Sequence, residues 1–309
     1  LRSPILMSTY KISSEYIKGL AYECGFTQCG IAPARLLSEA QRRFEKSIQK
    51  GYHSGMHFLE RDIQRRFTPS ELLPNCRSVV VLTLNYNTAL KFSEPQRFAK
   101  FSLLNDYHNY MHQMLKKLLA SLKDKHTDIN AKATVDTSAI SEKNWAVEAG
   151  LGFIGKNGLL ITPYGSFVHI GTLLLDKEVD NYDKTCEKSC SNCNRCIESC
   201  PTHAIEEAHC VNANHCIAYQ TIENKNPDFQ LLKKEPWIYG CDICQDVCPA
   251  NRNIPTNEDL VSESSLLLQL NFEQLSQLSQ TEFNHYFRDS GIKRRKHSIF
   301  MEIIKNKEQ

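Results

Sequence analysis

The spacing of the cysteines constrains this chain more than any other feature of its sequence. Of thirteen cysteines in 309 residues, eight fall into two runs that each end in Cys-Pro. The first run is Cys190-x2-Cys193-x2-Cys196-x3-Cys200-Pro201, and the second is Cys216 followed by Cys241-x2-Cys244-x3-Cys248-Pro249. In two-cluster ferredoxins, a C-x2-C-x2-C loop supplies three thiolates to one [4Fe–4S] cubane, and the cysteine before proline ligates the other cubane. The spacing therefore predicts two [4Fe–4S] clusters.

The same crossed pattern assigns each cysteine of the two runs to a cluster. We predict that Cys190, Cys193, Cys196 and Cys248 hold one cubane, and that Cys200, Cys216, Cys241 and Cys244 hold the other. Cys216 stands 25 residues before Cys241, so a separate segment must deliver it. The remaining cysteines are expected to be spectators or small core residues: Cys186, Cys210, Cys24, Cys29 and Cys76.

Disulfides and zinc sites are the alternatives to iron–sulfur clusters. Disulfides need an oxidising compartment, and the sequence shows no signal peptide that would direct the chain to one. Paired C-x2-C units can hold zinc, but zinc sites do not need the Cys-Pro ends that both runs have. Two zinc ions stay open as an alternative that fits the spacing less well than two cubanes.

The composition restricts function only weakly. Apolar residues make up 41% of the chain and charged residues 23%, as in ordinary globular proteins. No apolar run approaches the roughly 20 residues of a membrane span, and no export signal is visible. We therefore expect a reduced, cytoplasmic protein without a membrane partner. With 37 basic and 35 acidic residues, the net charge of +2 does not by itself indicate a nucleic-acid partner.

A compact basic block stands close to the C-terminus. It consists of Lys293, Arg294, Arg295 and Lys296. Such a block is most often a solvated helix face, but it can also contact phosphates. The sequence alone leaves both interpretations open.

Local patterns predict an α+β fold in three parts. Residues 1–180 are expected to form an N-terminal α/β domain, 181–255 a two-cluster ferredoxin-like domain, and 256–309 a helical basic tail. Apolar spacing predicts helices at about 14–24, 38–50 and 106–122, with Ser38 as an N-cap. A continuous β-branched run predicts a strand at 78–85 that is buried on both faces. A strand at 133–136, a helix opening at Ser138 or Ser141, and a hairpin around Pro163-Tyr164-Gly165 follow.

The best candidate for a reaction site follows the strand at 133–136. Asp136 is a lone carboxylate at a strand end, where α/β folds commonly build sites. Gly152, Gly155 and Gly158 come next and would let a large ligand approach the backbone closely. Alternatively, Asp136 is a structural residue that caps the next helix. The glycine spacing is not a dinucleotide fingerprint, because no strand leads directly into it.

Several separated segments resemble epoxyqueuosine reductases, in the order found in that family. They are GYHSGMHFLERD, RFAKFSLLNDYH, VDTSAISEKNWAVEAGLGFIGKNGLLITPYGSFVHIGTLLLD, SCSNCNRCIESCPTHAI, CIAYQTIE and YGCDICQDVCP. The resemblance covers about residues 10–300. It implies an oxidoreductase of tRNA modification that reduces epoxyqueuosine to queuosine at the wobble position, using cobalamin and two [4Fe–4S] clusters.

The resemblance also implies roles for particular residues. Asp136, in the VDT motif, would be the proton donor, and burial against the corrin would have to raise its pKa if it is to be protonated near neutral pH. The cobalamin would lie base-off between the first domain and the clusters, in line with the lack of a D-x-H-x-x-G signature. The expected corrin contacts are Lys156, Tyr164, Gly165, Ser166, Ala218 and Asp242.

The implied partners are tRNA carrying epoxyqueuosine and an unidentified low-potential electron donor. Longer family members continue into helical repeats that help to hold tRNA. This chain stops at Gln309, so we expect the basic block to contact phosphates. We also expect a monomer. Two alternative functions stay open: a two-cluster electron carrier, which would have no large cofactor pocket, and a cobalamin-dependent reductive dehalogenase, which the lack of an export signal disfavours.

Overall fold

The computed structural model of the protein describes residues 10–92, 95–136, 138–261 and 266–307. The strands are β1 (Gln28–Pro33), β2 (Ser78–Asn85), β3 (Arg97–Phe98), β4 (Ala131–Thr134), β5 (Phe153–Ile154), β6 (Leu160–Ile161), β7 (Val168–Leu175) and β8 (Trp237–Tyr239). Short 3-10 helices span His57–Leu59, Pro69–Glu71, Lys100–Leu103, Ala213–His215, Pro249–Asn251, Leu266–Gln269 and Gly291–Arg294.

The α-helices of the described residues are mostly short. They are α1 (Ser14–Glu23), α2 (Ser38–Gln49), α3 (Ile63–Phe67), α4 (Tyr107–Lys125), α5 (Glu142–Glu148), α6 (Arg195–Glu198), α7 (Ile217–Ile222), α8 (Phe229–Lys233), α9 (Ile243–Asp246), α10 (Glu258–Val261), α11 (Phe272–Ser276), α12 (Gln280–Tyr286) and α13 (His297–Lys305). None of them is long and apolar enough to cross a membrane.

A four-stranded antiparallel sheet in the order β1-β2-β7-β4 forms the centre of the N-terminal part. All eight residues of β2 are buried. Because side chains alternate along a strand, Val80 and Leu82 join the core with α1 and α4, while Val79 and Val81 join the core with α5. The strand at 78–85 is therefore buried on both faces, as its sequence predicts, and the mixed architecture agrees with the predicted α+β class.

Two helix starts agree with their sequence signals and one does not. Ser13 caps α1 through a hydrogen bond that its Oγ accepts from the N–H of Tyr16 at 3.3 Å. Asp106 caps α4, the long predicted helix. In α2, Ser38 is the first helical residue and Leu37 occupies the cap position without a side-chain bond to the described residues. The prediction that Ser38 is an N-cap is wrong by one residue.

The hairpin predicted around Tyr164 is wrong, although the turn itself is present. Thr162 and Gly165 exchange backbone hydrogen bonds of 2.9 and 3.0 Å. Beyond that turn, however, β6 pairs with β5, and β7 inserts between β2 and β4. In the middle of the large sheet, six of the eight residues of β7 are buried, and the burial of apolar side chains favours this placement.

Gly152 serves the β5–β6 pair and not a ligand. A Cβ at this position would lie 2.1 Å from the carbonyl oxygen of Ile161, in the protein's own backbone. The expectation that this glycine opens space for a large ligand is therefore wrong.

The C-terminal segments share a core with a loop of the N-terminal part. Strand β8 pairs with β3 in parallel. Phe92 and Phe98 are buried together with Phe283 of α12, Phe287 directly after α12, and Phe300 of α13. The tail beyond residue 256 thus packs against both other parts of the chain.

Candidate active site and metal centres

The structure brings together the first predicted set of four cysteines. Cys190, Cys193, Cys196 and Cys248 line one small cavity, which Pro249 also borders. Burial, and then the nearby thiolate charges of Cys190 and Cys248, raise the pKa of Cys196. The Cys-Pro cysteine of the second run thus meets the three cysteines of the first run, and every cysteine is free of disulfides in the described chain.

The second predicted set is also assembled, at the wall of a larger cavity. Cys200, Cys216, Cys241 and Cys244 all line this cavity. Burial raises the pKa of Cys244 to about 12, and the charges of neighbouring thiolates, including Cys216 and Cys200, add to the rise. Thiols in such surroundings become thiolates when bound metal compensates their charge. Two sets of four thiols fit the ligand requirement of two [4Fe–4S] cubanes.

Backbone N–H groups point at one sulfur of each set. The N–H of Lys156 lies 3.4 Å from Sγ of Cys190, and the N–H of Ala204 lies 3.3 Å from Sγ of Cys200. Such bonds stabilise the more reduced, more negative form of a cluster and so raise its potential.

The larger cavity extends from the second cysteine set to Asp136. Its volume is about 1420 Å³, above the roughly 300–1,000 Å³ of pockets for drug-sized ligands. Apolar side chains such as Leu159 and Ile217 line it together with Glu142 and Lys143. Its size and mixed lining fit a corrin.

Only two of the six expected corrin contacts line this cavity. They are Ala218 and Asp242. Asp242 is 3% exposed and accepts a hydrogen bond of 2.7 Å from the backbone N–H of Lys100. Burial raises the pKa of this carboxyl to about 6. Asp242 therefore also anchors the segment that begins at Lys100.

The other four expected contacts lie elsewhere in the structure. Lys156 borders the first cysteine set, and its Nζ donates to Asn194 at 2.7 Å. Ser166 donates from Oγ to Gln245 at 2.8 Å, and its backbone N–H donates to Asn251 at 2.7 Å. Tyr164 and Gly165 belong to the same turn, outside the lining of the large cavity.

Asp136 occupies a turn two residues beyond β4. Its φ of +53° is left-handed, and its side chain is 53% exposed. Its Oδ2 lies 3.4 Å from Nε2 of His108. The bond to His108 lowers the pKa of Asp136, against the smaller raising effect of burial. The expected rise in this pKa through burial against the corrin stays a prediction. In the structure, the bond to His108 keeps the carboxyl ionised near neutral pH.

His108 connects two carboxylates. Its Nδ1 lies 2.6 Å from Oδ1 of Asp106, and its Nε2 faces Asp136. The hydrogen bonds to Asp106 and Asp136 raise the pKa of His108 to about 9. The imidazole is therefore charged and carries a proton on each nitrogen at neutral pH.

A stack of three aromatic rings, those of Tyr107, His169 and Tyr86, packs against the ring of His108. Tyr107 stacks on His108 and on His169, with centroid distances of 4.1 Å in both cases. Tyr86 stacks on the other face of His169 at 4.3 Å. Burial lowers the pKa of His169 to about 3, so that ring is neutral. The stack restricts the orientation of His108 toward Asp136.

Comparisons with known proteins agree with this arrangement. A family model described as "4Fe-4S double cluster binding domain" matches residues 189–251, and one described as "Epoxyqueuosine reductase QueG" matches residues 66–137. An epoxyqueuosine reductase of Cyclobacterium marinum is 35% identical over 96% of this chain and 97% of its own length. This chain belongs to the epoxyqueuosine reductase family. The predicted cofactors, two [4Fe–4S] clusters and cobalamin, are those of this family.

Solved epoxyqueuosine reductases share the fold. One, in complex with an epoxyqueuosine-modified tRNA-Tyr stem loop, is 30% identical, with a TM-score of 0.83 over 95% of this chain and 80% of its own. Another, from Bacillus subtilis, has its catalytic aspartate loop "swung out of the active site"; it is 30% identical, with a TM-score of 0.81 over the same shares.

Two residues that line the large cavity were not singled out by the sequence alone. Glu142 opens α5, and its Oε1 accepts a 2.8 Å hydrogen bond from the backbone N–H of Asp136. Burial raises the pKa of Glu142 to about 8. Lys143 donates from Nζ to the carbonyl of Gly158 at 2.6 Å. The only sequence signal was their position directly after the candidate cap Ser141.

The basic block divides into exposed and buried members. Lys293, Arg294 and Lys296 are exposed, and Arg294 forms a 2.8 Å ion pair with Glu223. Arg295 is 4% exposed and donates to the carbonyls of Ile222 and Gln220 at 3.2 and 3.3 Å. The expectation that all four residues face phosphates therefore does not hold for Arg295, which ties the tail to α7.

His53, His57 and Glu60 bring three potential metal-ligand atoms within 4.8 Å of one another. Both rings bond to the same oxygen, Oε1 of Glu60, at 2.7 and 2.8 Å. Nδ1 of His53 is buried without a partner among the described residues, so a metal on Nε2 would leave a protonated Nδ1 unsatisfied. Ordinary hydrogen bonds account for this group.

Proposed function

We propose that this protein reduces epoxyqueuosine in tRNA to queuosine, and that Asp136 delivers a proton to the departing epoxide oxygen. The observation that carries the proposal is a single cavity that is lined both by Asp136 and by Cys200, Cys216, Cys241 and Cys244. Electrons from a cluster held by these four cysteines and a proton delivered by Asp136 would thus reach the same space. The tRNA stem loop bound by a solved relative is the substrate class that we assign to this chain.

The reaction must remove one oxygen and leave a double bond. Both C–O bonds of the epoxide break, and the oxygen leaves as water after taking up two electrons and two protons. Cobalamin, when bound, would supply a strongly reducing cobalt centre that acts on a carbon of the epoxide. Cys190, Cys193, Cys196 and Cys248 would hold one cluster, and the set that lines the cavity would hold the other. The cavity walls would exclude bulk water from the reacting carbon.

The pair of His108 and Asp136 can supply a proton although the pKa of Asp136 is low. His108 is charged at neutral pH because its pKa is about 9. As negative charge develops on the epoxide oxygen, Oδ2 of Asp136 would take the Nε2 proton of His108, and the carboxyl would then pass this proton on to that oxygen. The step leaves His108 neutral and Asp136 ionised again. Asp106 would stabilise the charged imidazole through Nδ1 and keep Nε2 directed at Asp136.

The cofactor and partner contacts are proposed from the same geometry. The corrin would occupy the large cavity and contact Ala218 and Asp242. Lys293, Arg294 and Lys296 would meet tRNA phosphates. A low-potential donor would reduce the clusters, and the protein would act as a cytoplasmic monomer. A pure electron carrier would have no use for the large cavity, and reductive dehalogenases match this fold too distantly to bear on activity.

The test is Asp136→Asn in anaerobically reconstituted protein. Asparagine keeps the shape of the side chain but cannot deliver a carboxyl proton, so conversion of epoxyqueuosine should fall by about 10²–10⁴-fold. Iron content, cobalamin content and tRNA affinity should stay at the wild-type level. Asp128→Asn is the control, because Asp128 pairs with Lys177 on the surface away from the cavity.

Nucleosides released from the tRNA would be quantified by mass spectrometry. Conversion by Asp136→Asn at the wild-type rate would refute the catalytic role of this aspartate. Wild-type protein that contains both cofactors but leaves epoxyqueuosine intact, and instead removes halide from an organohalide, would refute the proposed substrate.

A further inference from the structure

The backbone of the turn that carries Asp136 is joined to helix α5 by a hydrogen bond. Strand β4 ends at Thr134, so Asp136 lies beyond the hydrogen-bonded ladder of the sheet. Its left-handed φ of +53° is one that a non-glycine residue keeps only when its surroundings hold it. The backbone N–H of Asp136 donates to Oε1 of Glu142 at 2.8 Å. This bond joins the turn to α5.

Helix α5 is a firm anchor for that bond. Trp145, in the middle of the helix, is fully buried in the core that covers one face of the sheet. The residue before the helix, Ser141, donates its backbone N–H to the carbonyl of Arg66 at 2.8 Å. Glu142 therefore has a fixed backbone position, whereas the side chain that it helps to place, that of Asp136, is half exposed.

We propose that Glu142 is a positioning residue that holds the Asp136 backbone, so that the Asp136 carboxylate stays next to His108 and open to the cavity. The part of this proposal that concerns turnover rests on the proposed function; the part that concerns the hydrogen bond does not. Releasing the N–H would free the turn to adopt other conformations in which Oδ2 no longer faces Nε2 of His108.

The contact needs an acceptor oxygen and not a charge. Burial raises the pKa of Glu142 to about 8, so the carboxyl is largely protonated at neutral pH. The charged groups that face it are Asp136, His108 and Lys143. A neutral carboxyl keeps a carbonyl oxygen for the N–H. A glutamine should therefore replace Glu142 in this role, whereas alanine or methionine should not.

Hydrogen exchange at the Asp136 amide tests the contact without reference to activity. In the reconstituted holoprotein, Glu142→Ala should speed the exchange of this amide by on the order of tenfold, the equivalent of one lost hydrogen bond. Glu142→Gln should stay near the wild-type rate. Glu142→Met keeps the length of the side chain without the carbonyl, and should behave like Glu142→Ala even if the smaller residue disturbs packing.

Asp180→Ala is the matched control. Asp180 also accepts a backbone N–H through a carboxylate at 2.8 Å, but from Ser14 at the start of α1. This change should speed exchange at Ser14 and leave Asp136 protected. Unchanged protection of the Asp136 amide in both Glu142→Ala and Glu142→Met would overturn the proposal.

Turnover supplies the second readout. With epoxyqueuosine-containing tRNA, Glu142→Ala should lower kcat by about tenfold or more, leave KM and cobalamin content unchanged, and be rescued by Glu142→Gln. If wild-type protein turns over this substrate and Glu142→Ala exchanges fast at Asp136 with an unchanged kcat, the positioning role is refuted. If wild-type protein does not act on epoxyqueuosine, the proposed function falls, while the exchange result still decides the contact.

Discussion

The Nε2 atom of His108 lies 3.4 Å from Oδ2 of Asp136. The other ring nitrogen is held by Asp106 at 2.6 Å, so the imidazole stands between two carboxylates. Each carboxylate favours the charged ring, and the pKa of His108 rises to about 9. The ring in turn lowers the pKa of Asp136. The proton available at neutral pH therefore resides on His108 and not on Asp136.

Replacing His108 should show that this proton takes part in turnover. We expect His108→Gln to lower turnover of epoxyqueuosine by about 10²–10⁴-fold, the usual contribution of a proton-transfer group. In wild-type protein, turnover should decline as pH rises through about 9, because the imidazolium then loses its proton. The residual activity of the variant should lack that decline. Rates would be measured by nucleoside analysis between pH 6 and 10, chosen to bracket the shift.

His285→Gln is the control for this experiment, because His285 is exposed on α12. It should keep both the wild-type rate and the alkaline decline. An alkaline decline that persists in His108→Gln would assign the titration to another group.

The cluster domain was the most predictable part of the site. Iron–sulfur ligation imposes fixed cysteine spacings, so the sequence records it directly. The structure brings Cys248 to the cavity of Cys190, Cys193 and Cys196, as the crossed pattern predicts. The sequence also predicted that Asp136 lies at the end of a strand, although the strand ends two residues earlier, at Thr134.

The other contacts depend on long-range packing that the sequence does not encode locally. The hairpin around Tyr164 was predicted from turn residues, but β7 is better buried between β2 and β4. Arg295 reads as part of a charged run, yet the tail folds back and buries it against α7. Glu142 was missed because its raised pKa arises from the cavity wall and not from its neighbours in sequence.

The crossed cluster assignment predicts which cluster a single change destroys. Cys248→Ser should damage the cluster held by Cys190, Cys193 and Cys196, because these four residues line one cavity. The cluster held by the second set of cysteines, to which Cys244 belongs, should remain intact. Iron and sulfide would fall from about eight toward about four of each per chain, and electron paramagnetic resonance of the reduced protein would identify the remaining cluster.

Cys210→Ser is the matched control for cluster content. Cys210 lies outside both sets and bonds to Ser47, so its replacement should leave about eight irons. Loss of the cluster of Cys244 in Cys248→Ser, with the first cluster intact, would contradict the crossed assignment.

The basic block predicts two different outcomes for neighbouring residues. Combined Lys293→Ala and Lys296→Ala should weaken tRNA binding and lower the slope of log affinity against log salt by about 0.7–0.9 per lost phosphate contact. Arg295→Ala should leave that slope unchanged, because its guanidinium is buried against backbone carbonyls. It should instead lower the free energy of unfolding by about 1–3 kcal/mol. Salt titrations of tRNA binding would measure the first effect, and thermal unfolding would measure the second. An unchanged slope in the double variant would mean that Lys293 and Lys296 form an ordinary solvated face.

The raised pKa of Glu142 predicts how stability changes with pH. The carboxyl titrates at its ordinary 4.5 in the unfolded chain and at about 8 in the folded protein. Between these values the folded state binds more protons at this site than the unfolded state, so this group makes stability fall as pH rises. Glutamine cannot titrate. The melting temperature of Glu142→Gln minus that of the wild type should therefore increase from pH 5 to pH 8, measured on anaerobic holoprotein. Glu178→Gln, which removes an exposed carboxylate paired with Lys11, should show no such trend. Parallel curves for Glu142→Gln and the wild type would mean that Glu142 is ionised in the folded protein.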